Sequence, residues 1–156
     1  MATPMEVEIV EIAAVRVAGI SHRGAYGRIP EAFVRLFPKA EELGLARADG
    51  AAFAALYFDD PRVIPEQSLR SLAAVTVAQD AMIGDLEEAW LPSGRYLRAV
   101  FYGPHSGLPD AWARLGDHLA DGAYPRRKGL SFNIYVSNEP EVLPEQVRTD
   151  IYLPIA

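Results

Sequence analysis

Residues that can contact a small organic molecule alternate with apolar residues in two segments near the C-terminus. Successive side chains of a strand point to opposite faces, so Asn133 and Tyr135 are predicted on one face of the first segment. By the same rule, Asp150 and Tyr152 share one face of the second. Tyrosine rings combined with a few polar groups line many small-molecule pockets. The alternative interpretation is a half-exposed sheet face that carries tyrosines and binds nothing.

The first half of the chain carries similar residues. Tyr57 is predicted on the face opposite to Leu56 and Phe58, and Tyr26 lies in a turn before a predicted helix. His105 lies in an equivalent turn, at an offset of 79 in residue number, so both rings are predicted to close the mouth of the site. The candidate ligand-binding residues are therefore Asn133, Tyr135, Tyr152, Tyr57, Tyr26 and His105.

The apolar residues between these positions predict the core face of the sheet. In the two C-terminal segments they are expected to lie under a helix, and they are Phe132, Ile134, Val136, Ile151, Leu153 and Ile155. Trp112 belongs to a helical apolar stripe and is predicted as a core residue. No periodic pattern fixes the direction of Trp90.

Asp150 is the one carboxylate predicted beside this site, which makes it the candidate for acid–base catalysis. The alternative is a strand-edge carboxylate paired with Arg148 or with water. His22, His105 and His118 lack the spacing of a metal site, so no metal is expected. The sequence has no glycine-rich phosphate loop followed by lysine, and no cofactor is predicted.

The composition limits the classes of partner and the compartment. The 156 residues carry a formal net charge of −6, which disfavours direct binding to nucleic acid, and the basic cluster Arg126–Lys128 is predicted to be a solvated turn. The chain has no cysteine and no apolar run of about 20 residues, so disulfides, thiolate metal sites and membrane spanning are not expected. A cytoplasmic protein of one domain, residues 1–156, is the simplest interpretation.

An internal repeat organises the chain. Arg16 recurs as Arg95 and Gly24 as Gly103, both at an offset of 79, and many further positions keep this offset or one of 78. The copies extend over about 6–78 and 85–155. Two copies are too few for a solenoid, so a pseudo-two-fold pair of like units is predicted.

Each copy shows the same order of predicted elements. The apolar segment from Val7 to Ile20 predicts one strand, and an amphipathic helix follows that starts at Pro30 and stops at Gly44. The second copy has the equivalent helix behind Pro109. Further strands are predicted at 53–58, 70–77, 131–136 and 148–155. The order β-α-β-β in two copies predicts an α+β domain with a mostly antiparallel sheet and two main helices.

Three stretches of this sequence resemble the GyrI-like small-molecule-binding family, which also supplies the effector-binding domain of AraC-type and MerR-type regulators. They are Ser21–Tyr26, Leu56–Pro61, and Phe132–Tyr135 continuing through Pro140 to Arg148–Pro154. The resemblance implies a stand-alone member with a duplicated βαββ fold and a central cleft between the copies. In the family this cleft binds hydrophobic, often cationic drugs.

The resemblance also implies two alternative functions. Some stand-alone members hydrolyse cyclopropanoid DNA-alkylating compounds, and a gyrase-inhibiting activity gave the family its name. The resemblance therefore names a gyrase or a regulator as a candidate protein partner, although no sequence pattern indicates a protein interface. Many relatives carry glutamate where this chain has Asn133, so weaker selection for cations and weaker support for hydrolysis are expected here.

Overall fold

The computed structural model describes residues 6–48, 50–120, 125–136 and 143–156, and it contains two main helices and eight strands there. The strands are β1 (Glu6–Ile12), β2 (Val15–Arg23), β3 (Phe53–Tyr57), β4 (Arg70–Thr76), β5 (Glu87–Leu91), β6 (Gly94–Tyr102), β7 (Ser131–Tyr135) and β8 (Arg148–Pro154). The helices are α1 (Pro30–Glu42) and α2 (Leu108–Ala120). Strand pairing within each unit is antiparallel, so the predicted α+β class is confirmed.

The chain forms two compact units, each with four neighbouring strands. The central unit is Ala13–Ser93, with the strand order β5-β2-β4-β3. The terminal unit consists of the described residues within Met1–Ile12 and Gly94–Ala156, with the order β1-β6-β8-β7. The predicted β-α-β-β order is present in both, as β2-α1-β3-β4 and β6-α2-β7-β8.

The units do not coincide with the sequence copies, because the first strand of each copy pairs in the other unit. β1 opens the first copy but pairs with β6, and β5 opens the second copy but pairs with β2. The prediction of one strand from Val7 to Ile20 was therefore wrong. Ala13 and Ala14 separate β1 from β2, and the chain passes there from the terminal unit into the central unit.

Both helices follow the predicted periodicity. Pro30 is the first residue of α1, and Gly44 takes a left-handed conformation with a φ of 71° just after its end. The side chains of α1 that face the core are Ala32, Phe33, Leu36 and Ala40. In α2, Leu108 and Leu115 are buried and Trp112 packs against them, whereas the side chain of Leu119 lies outside the described part. Each helix therefore has one apolar side.

Each helix covers one face of the strands in its own unit. The Phe33 and Phe37 rings of α1 pack edge-on against Phe53 of β3, at 6.4 and 5.0 Å between ring centres. In the terminal unit, one apolar cluster joins α2 to β6 and β8, and its members are Leu97, Ala99, Leu108, Ala111, Leu115, Ile151, Leu153 and Ile155. The predicted position of the last three residues is confirmed.

The predicted faces of β7 were wrong. Phe132 lies opposite Tyr152, Asn133 opposite Ile151 and Tyr135 opposite Thr149, and residues directly opposite in an antiparallel pair share a face. Asn133 and Tyr135 therefore lie on the α2-covered face, whereas Phe132 lies on the other. Apolarity did not identify the helix side, because Phe132 is fully buried on its own face as well.

In the basic cluster, Arg126 and Lys128 are exposed as predicted, whereas Arg127 is partly buried. Arg127 donates hydrogen bonds to the carbonyl oxygens of Ile155 (3.1 Å) and Arg95 (3.0 Å), and its guanidinium lies 5.0 Å from the centre of the Tyr96 ring. Arg127 therefore has a packing role in the terminal unit.

Pro140 of the third resembling stretch lies outside the described residues. Within the described part of the chain, neither helix is long and apolar enough to cross a membrane.

Candidate functional site

The same pair of rings recurs in both units. In the central unit, the Tyr26 ring from the turn before α1 lies 4.7 Å from the Tyr57 ring of β3, with 55° between the ring planes. In the terminal unit, the His105 ring lies 5.1 Å from the Tyr135 ring, also at 55°. Turn and strand residues that were predicted to share a site therefore meet within each unit.

A buried hydroxyl accompanies each ring pair. Ser71 lies opposite Tyr57 across β3 and β4, and Thr149 lies opposite Tyr135 across β7 and β8. Ser71 is 2% exposed and Thr149 is fully buried, and neither hydroxyl has a hydrogen-bond partner among the described residues. The sequence interpretation missed both residues, although their offset of 78 matches that of the two tyrosines and was a usable signal.

Asn133 is the most unusual polar group of the terminal unit. Its side chain is fully buried, and within the described residues neither its amide nitrogen nor its amide oxygen has a hydrogen-bond partner. More than nine in ten buried polar groups in folded proteins have such a partner, and an unpaired one costs about 1–3 kcal/mol. The amide can therefore form a hydrogen bond with a group that the described residues do not supply.

The surroundings of Asn133 on its face are uncharged. Ile151 lies directly opposite, and Tyr135 and Thr149 form the next pair of the ladder on that face. Tyr135 and Trp112 also pack against the apolar cluster under α2. The result is a neutral amide and a hydroxyl beside an apolar cluster, with the His105–Tyr135 ring pair adjoining them.

Tyr152 is not part of this group. It lies on the opposite face of β8, stacked on Phe132 with 4.7 Å between ring centres and 14° between planes. Tyr96 packs edge-on against both rings, at 5.3 Å from Phe132 and 6.1 Å from Tyr152. The expectation that Tyr152 shares a face with Asn133 and Tyr135 was therefore wrong, because all three rings fill the second buried face of the terminal unit.

Asp150 also lies away from Asn133, on the face of Tyr152. Its two carboxylate oxygens accept hydrogen bonds from Arg148 Nε (2.8 Å) and Arg148 Nη2 (3.1 Å), and its exposed fraction is 5%. The carboxylate raises the pKa of the Arg148 guanidinium through this hydrogen bond. The predicted alternative, an ion pair with Arg148, is confirmed.

Tyr26 anchors a polar network in the central unit. Its hydroxyl donates to the carbonyl oxygen of Asp59 (2.8 Å) and accepts from the Asp59 amide (3.0 Å). The Asp59 carboxylate accepts from the backbone amide of Arg70 and from its guanidinium, each at 2.8 Å. The hydrogen bond from Arg70 lowers the pKa of Asp59, while burial raises the pKa of Tyr26. The Tyr26–Tyr57 pair is therefore held in place by a charged loop.

No group of three His, Asp or Glu side chains is arranged to hold a metal within the part of the chain that the structure describes. The polar atoms around Asn133 are an amide and a hydroxyl, which suit hydrogen bonding to an organic molecule.

The fold and the buried neutral polar group define a class: an α+β domain of two antiparallel units with a candidate small-molecule site. The family model of the GyrI-like small molecule binding domain matches residues 5–156, so the chain belongs to this family.

The chain is also similar to individual proteins. The chain is 25% identical over 115 residues to DNA gyrase inhibitor 2 of Dickeya dadantii, and the aligned region covers 71% of each protein. Two solved structures share the fold. SAV2435 bound to tetraphenylphosphonium has a TM-score of 0.75 at 18% identity, covering 97% of this chain and 94% of that one. The C-terminal domain of EcmrR has a TM-score of 0.74 at 15% identity, covering 99% of both.

Proposed function

We propose that this protein binds a small, uncharged hydrophobic or aromatic molecule, for sensing, for sequestration or for resistance to a drug or toxin. The observation that carries the proposal is the fully buried Asn133 amide, which has no hydrogen-bond partner among the described residues. A ligand with a donor or acceptor at this point removes the cost of the unpaired amide. His105 and Tyr135 supply rings for the apolar part of the ligand.

The preference for an uncharged ligand follows from the groups around Asn133. SAV2435 has been solved with tetraphenylphosphonium, a cation. Here the neighbouring side chains on the same face, Tyr135, Thr149 and Ile151, carry no negative charge. A cation there would gain only contacts with aromatic faces, about 0.5–2 kcal/mol each, and no ion pair.

Tyr26 and Tyr57 remain proposed ligand contacts, whereas Tyr152 packs on the other face of β8 and can act on the ligand at Asn133 only indirectly. The resemblance stated from the sequence places the ligand in a cleft between the two copies, and this stays a prediction. A double-mutant cycle of Tyr57→Ala with Tyr135→Ala tests it. Coupling of at least about 0.5 kcal/mol in ligand affinity indicates one shared site, whereas additive losses indicate separate contacts.

The main experiment compares two matched dyes, one neutral and one carrying a permanent positive charge, in a fluorescence titration. The natural protein is expected to bind the neutral dye more tightly. Asn133→Asp keeps the size of the side chain and adds a carboxylate, so it is expected to shift the preference toward the cation by about tenfold or more. Gln79→Glu adds the same charge at an exposed position and is expected to shift nothing.

The outcomes separate binding from selectivity. Tighter binding of the cationic dye by the natural protein would reject the preference for uncharged ligands. Failure of both dyes and of a wider hydrophobic screen to raise the melting temperature would reject ligand binding itself. A ligand at 100 times its dissociation constant stabilises the protein by about 2.7 kcal/mol, so binding at this level is measurable.

Gyrase modulation is a second proposed function, supported by the relative named DNA gyrase inhibitor 2. A gyrase supercoiling assay with the purified protein tests it, and an unchanged supercoiling rate at saturating protein would exclude it.

Hydrolysis has weaker support, because the candidate acid Asp150 is bonded to Arg148 and lies on the face opposite to Asn133. Product analysis of any bound cyclopropanoid compound separates binding from turnover.

A further inference from the structure

A polar cavity lies in the central unit at the ends of β2 and β4. Its volume is about 210 Å³, and it is lined by Ser21, His22, Arg23, Arg70 and Ser71. None of these five is among the six candidate ligand-binding residues. The cavity is larger than one of about 150 Å³ that admits benzene, so a molecule of similar size fits.

Two arginines face each other at this cavity. Arg23 and Arg70 are direct cross-strand partners, and like charges in such a position repel. Arg70 is neutralised by Asp59, whereas no carboxylate of the described residues lies within ion-pair distance of Arg23. Arg23 is therefore the cation of the cavity that has no ion pair within the described part of the chain.

Two carboxylates lie near Arg23 without forming an ion pair with it. Glu87 accepts a hydrogen bond from the Ser21 hydroxyl, so its carboxylate lies at the Ser21 end of the cavity, two residues along β2 from Arg23 and about 7 Å of extended chain away. The Asp59 carboxylate is bonded to Arg70, and the charge of Arg23 also lowers the pKa of Asp59. Among the described residues neither carboxylate is hydrogen-bonded to Arg23, so its guanidinium keeps donors for an external anion.

The equivalent place in the terminal unit keeps one arginine, Arg148, which pairs with Asp150, and has Tyr102 in the position of Arg23. Val100 and Phe101 stand at the positions of Ser21 and His22, at the repeat offset of 79. The Phe101 ring tip lies so close to two turn glycines that a Cβ atom at Gly103 or Gly107 would be 3.0 or 2.9 Å from it. Phe101 thus packs against the turn that follows β6. In the central unit, by contrast, Nε2 of His22 lies 3.1 Å from the carbonyl oxygen of Ala25.

We propose that the central unit contains a second binding site, which takes a small organic acid the size of benzoate, with its carboxylate at Arg23 and its apolar part in the cavity. Guanidinium groups bind carboxylates through directed, charge-assisted hydrogen bonds. Ser71 and His22 line the cavity from the opposite face of the two strands. An anion at this position also relieves the repulsion between Arg23 and Arg70.

Isothermal titration calorimetry of the full chain with sodium benzoate, sodium acetate and inorganic phosphate, at constant ionic strength, tests this site. Benzoate is expected to bind at one molecule per chain and more tightly than acetate, because it also fills the cavity. Arg23→Gln is expected to weaken benzoate binding by roughly tenfold to a hundredfold through the lost charge-assisted bond. Arg35→Gln removes the same charge from an exposed position of α1 and is expected to change nothing.

His22→Phe provides an independent test, because it copies the residue of the terminal unit and replaces a polar lining side chain with a larger, apolar one. This variant is expected to fold, as shown by an unchanged circular dichroism spectrum, and to change benzoate affinity while leaving the Asn133 site unaffected. Tighter binding of phosphate than of benzoate, equal binding by Arg23→Gln and the natural protein, or no heat from any of the three anions would each overturn the proposal. Asn133→Asp is expected to keep benzoate affinity, so this site and the proposed ligand site fail or succeed separately.

Discussion

The two units carry one backbone arrangement with different polar chemistry. Both place a turn ring against a strand tyrosine at 55° between planes, and both put a buried hydroxyl opposite that tyrosine. The terminal unit adds Asn133, where the central unit has Ala55 at the repeat offset of 78. The central unit instead has the cavity beside Arg23. Duplication has thus preserved the positions of side chains while their chemistry diverged, so function must be argued for each unit separately.

The arginine at the start of the last strand shows the same divergence. Arg70 pairs with Asp59, which follows β3, whereas Arg148 pairs with Asp150 on its own strand. In the central unit this pair fixes a loop that also holds Tyr26. In the terminal unit it neutralises a buried carboxylate within one strand. Equivalent residues therefore stabilise different parts of the two units.

Gly19→Ala is expected to have the largest effect on stability. A Cβ atom at Gly19 would overlap the carbonyl oxygen of Ala73 on β4 and would lie 2.9 Å from its carbonyl carbon. Backbone cannot move away cheaply in a paired strand, so we expect a loss of about 3 kcal/mol in the free energy of unfolding, measured by urea denaturation. The equivalent residue of the terminal unit is Arg98, which pairs with Glu8, so this close approach is specific to the central unit.

Gly27→Ala is the matched control, since no atom lies within 4 Å of the added Cβ position. It is expected to leave the free energy of unfolding within about 0.5 kcal/mol of the natural value. Similar free energies of unfolding for Gly19→Ala and Gly27→Ala would show that β2 and β4 can move apart without a loss of stability.

Asn133→Leu is expected to raise the free energy of unfolding of the ligand-free protein by about 1–3 kcal/mol, because leucine has the same branching as asparagine and replaces an unpaired amide. The natural amide is buried without a partner among the described residues. The same variant is expected to weaken binding of the neutral dye. Urea denaturation and dye titration of one preparation measure both effects, and a loss of stability would show that the natural amide is already bonded.

Periodicity predicted both helices well, because a helix with one buried side repeats its apolar residues at a fixed spacing, as Phe33, Leu36 and Ala40 do. The faces of β7 were not predictable in this way. Asn133 and Phe132 are adjacent and both fully buried, so alternation of polarity did not reveal which side α2 covers. The same ambiguity placed Tyr152 with Asn133, although the register puts them on opposite faces.

The break between β1 and β2 and the cavity at Arg23 depend on strand pairing, which local sequence does not encode. Val7 and Ile20 belong to one apolar run, yet they pair in different units. Arg23 and Arg70 are far apart in the chain and become neighbours only through the register of β2 and β4. The Tyr26–Tyr57 and His105–Tyr135 pairs were predictable because the repeat itself relates them.

Tyr26→Phe is expected to lower the free energy of unfolding by about 1–2 kcal/mol, because the loss of the hydroxyl leaves two peptide groups without their partner. The natural hydroxyl both donates to and accepts from the backbone of Asp59. Thermal or urea unfolding measures the loss. His105→Phe changes the equivalent ring of the terminal unit and is expected to cost less, so equal losses would contradict the assigned role of the Asp59 loop.

Asp59→Asn is expected to have the smallest effect, and one that depends on pH. The Arg70 hydrogen bond holds the pKa of the folded carboxyl below its usual value, so the natural carboxylate contributes stability above the unfolded pKa of about 4. This contribution is lost as the pH falls through the lower folded pKa, because the protonated acid no longer pairs with Arg70. Urea denaturation from pH 7 down to about pH 2 is expected to show a shallower acid dependence for the variant. If the free energy of unfolding depends on pH in the same way for both proteins, the Asp59–Arg70 pair adds nothing to folding. The two units would then differ only in where the arginine pairs, not in what the pair contributes to stability.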